Sequence, residues 1–258
     1  MIYIFILLFS VVFFLIWFFV RFSYFYKVTT PKGEKYKSSY KSDGFLKKLF
    51  WSLPMQLGKD FARKDSNFFD AHGCIVFEGH QGGGKTISAV QYARELKRKY
   101  KESIVLSNTS LAFEDISLSS WEPILEVDND KYGVICLLDE AQLWFSGRFM
   151  SNFNISSLGL ISQNRKCKRV LLLTSQNFCQ LDKQVRINTT EVRKCKTFLG
   201  CLTVVACFVP ELDSEGNVIK QHFKRFYWYV QDDDLRNSYD TFRVIQTLTK
   251  SGFIERKE

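Results

Sequence analysis

The hydrophobic pattern divides the chain into an N-terminal block that is apolar all round and a longer region in which short apolar runs alternate with polar stretches. Residues 2–20, IYIFILLFSVVFFLIWFFV, are apolar apart from Ser10 and carry no charge. As a helix they rise roughly 28 Å, close to the hydrocarbon thickness of a bilayer. Further along, CIVFE (74–78), IVLSN (104–108), VICLLDE (134–140) and RVLLLTS (169–175) are compact aliphatic runs, the pattern of strands covered on both faces. ISAVQYARELKRKY (87–100) instead spaces Ile87, Val90, Ala93 and Leu96 at helical intervals. FLKKLFWSL (45–53) does the same with Phe45, Leu46, Leu49, Phe50 and Leu53, and predicts a short helix lying either on a membrane surface or against the following domain. Two β-rich runs, 196–211 and 222–230, flank the turn sequence DSEGN (213–217) and predict a long hairpin. Residues 233–248 predict a closing helix, with Asp232, Asp233 and Asp234 suiting its N-terminal dipole.

Strands alternating with helices predict an α/β fold: a mainly parallel sheet flanked by helices, with an appended β-hairpin and one N-terminal transmembrane helix. The boundaries read as an anchor at 1–21, a basic juxtamembrane stalk at 22–65 and an α/β domain at 66–258.

Charge refines the membrane reading and weakens another. The net charge of +9 suggests a nucleic-acid binder, but residues 21–50 alone hold eight Lys and Arg against Glu34 and Asp43, a net +6. Only +3 remains for the other residues, so most of the excess is placed to meet anionic headgroups rather than DNA. The positive flank follows the apolar run, which by the positive-inside rule puts the C-terminal domain in the cytoplasm of a single-pass protein. Nothing basic precedes the run and Arg21 with several aromatics follows it, so it reads as a retained anchor, not a cleaved signal. Seven cysteines without a C-x-x-C pair predict neither a disulfide framework nor a zinc site.

The candidate chemistry begins where the first of these strands ends. CIVFE leads directly into Gly79-His80-Gln81-Gly82-Gly83-Gly84-Lys85-Thr86, a full match to G-x-x-x-x-G-K-[ST], and a helical pattern follows at once. This order of strand, glycine loop and helix is what phosphate binding needs. Backbone N–H groups wrap the phosphates without Cβ interference, and the helix N-terminus adds partial positive charge. Lys85 would reach the β- and γ-phosphates of ATP, and Thr86 would ligate Mg2+. VICLLDE then ends in two carboxylates, with Asp139 placed to hold the Mg2+ shell and Glu140 to polarise an attacking water. RVLLLTS ends at Gln176, which is either a γ-phosphate sensor or a plain strand cap. Ser107 and Asn108 end another strand, giving four parallel strands with ligands at their carboxyl ends.

GHQGGGKT, LLDEAQLWF (137–145), SQNRKCKRVLLLTSQ (162–176) and YDTF (239–242) together resemble the Zot family, the zonula-occludens-toxin-like or gene I assembly ATPases of filamentous phages, near the FtsK/HerA motors. The resemblance covers about residues 72–245. Two features depart from it: many Zot-like proteins carry the membrane helix after the ATPase domain, and Asn164-Arg165-Lys166 stands where the family often has His-Arg-His. The resemblance implies ATP hydrolysis that drives phage assembly or extrusion of viral DNA at the host inner membrane, with other phage assembly proteins as partners. It also implies a homo-oligomeric ring in which a neighbour donates a cation, for which Arg148, Arg165 and Arg169 are candidates and Arg165 is preferred. RKCKR (165–169) and RKCK (193–196) are either DNA-phosphate contacts or solvated basic faces. Two other readings remain open: an FtsK/HerA-type DNA packaging motor, and a membrane scaffold switched by nucleotide without turnover, against which Glu140 argues.

Overall fold

The computed structural model describes residues 2–28, 44–62, 68–120, 122–144, 164–239, 248–249 and 252–253. Its chain forms two compact units, Met1–Ser66 and Asn67–Glu258. In the first, the apolar run and the residues after it form one helix, α1 (Ile2–Val28). Its Leu8–Lys27 segment is long and apolar enough to cross a membrane, and none of that segment is buried. A second helix, α2, follows over residues 45–62. It is α-helical at Phe45–Lys47 and Leu53–Ala62 and π-helical at Lys48–Ser52 between them. The helical spacing in 45–53 is thus the first half of a longer element.

α2 packs along α1, with both running in the same direction. Phe14 meets Phe50 at 5.0 Å between ring centroids, Trp17 meets Trp51 at 6.2 Å and Phe22 meets Phe61 at 5.6 Å. Gly58 permits a close approach, because a Cβ there would stand 2.7 Å from the Phe22 carbonyl oxygen. Arg21 lies over the Trp51 ring, 3.3 Å from its centroid, with Trp17 and Phe25 within 6 Å. Aromatic faces stabilise this cation at the end of the apolar stretch.

The second unit is built on one eight-stranded sheet of order β3-β2-β4-β5-β1-β6-β7-β8. Its strands are β1 (Gly73–Glu78), β2 (Ile104–Ser107), β3 (Ile116–Ser117), β4 (Val134–Leu138), β5 (Arg169–Ser175), β6 (Thr189–Phe198), β7 (Leu202–Leu212) and β8 (Val218–Val230). The first six are mutually parallel, and β7 and β8 add antiparallel at one edge. α3 (Lys85–Lys99) packs Ile87, Val90, Ala93 and Leu96 onto one sheet face, with Phe77, Leu137 and Leu172 beneath. The other face holds Val76, Leu138, Leu173 and Val192. It is covered by Ile124 of α4 (Glu122–Glu126), by Phe178, and by Val185 of α6 (Lys183–Ile187). α5 (Ala141–Trp144) follows β4. The fold is α/β of the P-loop NTPase kind, a mainly parallel sheet flanked by helices.

The C-terminal third differs from the pattern-based reading in two places. The run at 196–211 is broken by a turn at Leu199 and Gly200, whose φ values are 52° and 71°. Its start belongs to β6, a fifth long parallel strand, and the remainder to β7. Leucine rarely adopts a left-handed backbone, so nothing before Gly200 announces the turn. The closing helix spans only α7 (Asp233–Arg236), capped by the Asp232 carboxylate accepting from the Leu235 N–H at 2.8 Å. Asn237 and Ser238 leave the helix as a turn, and Tyr239 bridges to Leu111. The rest of the expected helix lies outside the described residues, except for β9 (Leu248–Thr249), which pairs with β10 (Gly252–Phe253).

Arg193 of β6 is the largest fully buried side chain among the described residues. Its guanidinium lies 3.9 Å from the Tyr92 ring centroid and donates to the Glu191 carboxylate at 2.6 Å, and Lys224 donates to the other Glu191 oxygen at 2.8 Å. Burial alone would raise the Glu191 carboxyl, but Lys224 and Arg193 outweigh it and hold it below its ordinary value of 4.5. The stability this carboxylate contributes is therefore complete above that pH and lost as pH falls through the lowered value. We expect Glu191→Ala to cost about 3–5 kcal/mol at neutral pH, because Arg193 keeps its burial and loses its counter-charge. Denaturant unfolding should show the gap from wild type closing in acid.

Candidate functional site

The sequence places the glycine loop between β1 and α3, and the structure shows what holds it there. Gly84 has φ +86°, a left-handed conformation, and a Cβ on it would collide with the Thr197 hydroxyl of β6. Only glycine lets the loop lie this close to the sheet. Thr197 Oγ1 also donates to the Gly83 carbonyl at 3.3 Å and touches Thr203 Oγ1 at 3.1 Å, while Gln231 Nε2 donates to Thr203 at 2.7 Å. The loop thus leans on a polar wall made by β6, β7 and the end of β8. Gly83 N–H closes a tight turn onto the His80 carbonyl at 2.9 Å. Lys85 is buried, Thr86 half-buried, and His80 and Gln81 exposed.

Asp139 stands at the end of β4, where the apolar run predicted an acid. Its Oδ1 accepts from Thr86 Oγ1 at 2.8 Å and from Thr174 Oγ1 at 2.6 Å. Its backbone is fixed as well: its N–H donates to Asn108 Oδ1 at 2.8 Å, and Asn108 Nδ2 donates to its carbonyl at 3.0 Å. The ends of β2, β4 and β5 and the start of α3 therefore meet at one residue. A hydroxyl and a carboxylate converging here are hard oxygen donors of the kind Mg2+ takes alongside phosphate oxygens and water, so the residues present fit that ion.

Glu140 follows with φ +50°, its N–H donating to Thr174 Oγ1 at 2.9 Å and its carboxylate accepting from Gln142. Only a few per cent of non-glycine residues adopt positive φ, and here two hydrogen bonds at Thr174 hold both acidic residues in place. Thr174 is the functional residue that the pattern reading missed. It sits inside an aliphatic strand, RVLLLTS, and only its inward register beside Leu172 distinguishes it from a core position.

Gln176 is exposed just beyond β5 and lines a cavity of about 850 Å³ together with Glu78, residues 79–83 of the loop and part of β6 and β7. Arg165 is exposed in the turn before β5, at the sheet end opposite the glycine loop, so it is remote from this chain's own site. Arg169 is 3% exposed and not available to a neighbour, and Arg148 lies outside the described residues. Of RKCK (193–196), Arg193 and Cys195 point into the core while Lys194 and Lys196 are exposed along the cavity. Burial pushes the Cys195 thiol up to about 12, which makes it a packing group and not a nucleophile.

No family model matches the chain, and no curated protein matches its sequence. Solved structures do match it. The N-terminal domain of zonular occludens toxin from Neisseria meningitidis is 14% identical, with 66% of this chain and 100% of that one covered at a TM-score of 0.44. The genome packaging NTPase B204 from Sulfolobus turreted icosahedral virus 2, solved with ATP-gammaS, is 16% identical over 58% of this chain and 96% of that one, TM-score 0.38. Flagellar accessory protein FlaH from Methanocaldococcus jannaschii is 11% identical over 59% and 88%, TM-score 0.35.

Replacing Thr174 by valine keeps the shape of the side chain and removes both hydrogen bonds. We expect Thr174→Val to lower stability by about 1–3 kcal/mol, and Thr174→Ser to restore most of it. Denaturant unfolding of the three proteins measures both.

Proposed function

We propose that this protein is a Mg2+-dependent ATPase, anchored to a membrane by α1, whose turnover drives assembly of a virion or extrusion of its genome at the host inner membrane. The observation that carries the ATPase part is the meeting of Thr86, Asp139 and Thr174 beside a glycine loop with the G-x-x-x-x-G-K-T sequence. Backbone N–H groups of residues 79–86 would cradle the phosphates, with the Lys85 ammonium set against the β- and γ-phosphates. Thr86 and Asp139 would hold Mg2+, which supplies neutralisation of charge between the terminal phosphates. Glu140 would accept a proton from the water that attacks the γ-phosphorus, ADP leaving with the bridging oxygen. Gln176, at the neighbouring strand end, would meet the γ-phosphate side of the site.

Because Arg165 stands at the far end of the sheet, its role as a cationic finger would be played on a neighbouring subunit of a ring. The viral load, DNA or another assembly protein, is supported by the motif resemblance of residues 72–245.

One observation favours a second reading of the anchor. Leu49 and Phe50 lie against Ser10–Trp17, so Lys47 and Lys48 stand beside the middle of the apolar run. The sequence joining the two helices carries Lys32, Lys35, Lys37 and Lys41. Lysines can snorkel from a shallow position, but a charged joining segment is costly inside hydrocarbon. A helix pair lying within one membrane interface satisfies both constraints.

In detergent, the full chain should hydrolyse ATP, with turnover abolished by Lys85→Ala and reduced about 10²–10⁴-fold by Glu140→Gln. Stimulation by single- or double-stranded DNA would identify the load. Turnover that survives Glu140→Gln would remove that residue from the mechanism. For the anchor, a cysteine introduced at Ile2 should react with impermeant maleimide from the side opposite the ATPase domain if α1 spans, and from the same side if the pair is interfacial.

A further inference from the structure

β7 carries small side chains where its neighbours carry long ones. Val204 pairs with Lys196 on β6 and Trp228 on β8, and Ala206 pairs with Lys194 and Phe226. Residues in register point to the same sheet face, so a lysine row and an aromatic row stand two strand spacings apart, about 9.6 Å. Between them lies a shallow trough floored by Val204 and Ala206. Trp228 and Phe226 are 64% and 65% exposed, and α3 covers only the opposite face of these strands.

The trough is not isolated. The 850 Å³ cavity that borders the glycine loop at residues 79–83 is also lined by Lys194, Lys196, Phe198, Val204 and Ala206. It runs from Gln176 at one end, past the loop, onto the floor of the trough, and among the described residues Glu78 is its one carboxylate against two lysines. The proposed metal ligands Thr86 and Asp139 and the Thr174 contact all lie on the β4–β5 side of β1. Mg2+ held by Thr86 and Asp139 would keep the terminal phosphates on that side. The rest of the nucleotide must then leave toward β6.

We infer that the β6–β8 face is the nucleoside subsite of the ATP site, an assignment that rests on the ATPase reading above. The purine lies on Val204 and Ala206 with the Phe226 and Trp228 rings at its far edge. Lys194 and Lys196 flank the ribose and the α-phosphate. A flat apolar floor, an aromatic wall and a cationic wall are the chemistry that holds a purine nucleotide.

Calorimetric titration of the full chain in detergent with ATP and with inorganic tripolyphosphate tests it. Wild type should bind ATP more tightly than tripolyphosphate, by roughly tenfold or more, the difference supplied by burial of the apolar purine surface on the trough. Ala206→Trp fills the trough on an open face. It should lose that advantage for ATP and leave tripolyphosphate affinity unchanged, which also shows that the variant is folded. ATP affinity unaltered by Ala206→Trp, or a wild type binding both ligands equally, would overturn the subsite while leaving the phosphate loop intact. Failure of wild type to bind either ligand would overturn the ATPase reading and the subsite with it. Photolabelling with 8-azido-ATP gives an independent readout: adducts within 194–208 or 226–228 support the assignment, and adducts confined elsewhere refute it.

Discussion

The carboxylate of Asp139 is the point on which the site depends. One oxygen accepts from hydroxyls on α3 and β5 while the backbone of the same residue is clamped by Asn108 from β2. Bonds to an ionised acceptor are stronger than neutral ones, and a network of this kind couples its members. Three strand ends and a helix N-terminus are therefore positioned relative to one another by a group that is itself half-buried. The same contacts give the glycine loop its exit direction, since Thr86 sits on the first turn of α3.

Much of this was legible in the sequence because the signals were local. β1, the glycine loop and α3 are contiguous, and the four inner parallel strands each read as an uninterrupted apolar run. The acids at 139 and 140 end such a run and need no tertiary information to be noticed. Thr174 was not legible, since its importance lies in hydrogen bonds to the two residues that follow β4, which no local pattern records. β6 was hidden for a different reason. Its residues TTEVRKCKTF alternate Glu191, Arg193 and Cys195 inward with Lys194 and Lys196 outward, so a strand whose core-facing groups include a salt bridge looked like a basic cluster. The closing helix failed because an N-cap and an acidic first turn mark where a helix starts and carry no information about where it stops.

Burying an ion pair inside the sheet extension is not an obvious way to stabilise it, since well-packed apolar residues often do as well. What the Arg193 cluster adds is directional. Guanidinium, carboxylate and the Tyr92 and Tyr227 rings meet in only one alignment of β6 with β8 and α3. An apolar replacement would pack in several.

β6 also joins the parallel sheet to its antiparallel edge, pairing with β1 on one side and β7 on the other. Because side chains alternate along a strand, one added or deleted residue before Glu191 would turn every later position over. Both lysines would face the helix layer, and arginine with its partner acid would face water. Length changes in this strand are thus far less tolerable than substitutions. The DSEGN turn between β7 and β8, with exposed Ser214 and Glu215 at its tip, can absorb insertions without disturbing the alternation. Natural variation in chain length, or a tag engineered into the protein, belongs at that tip.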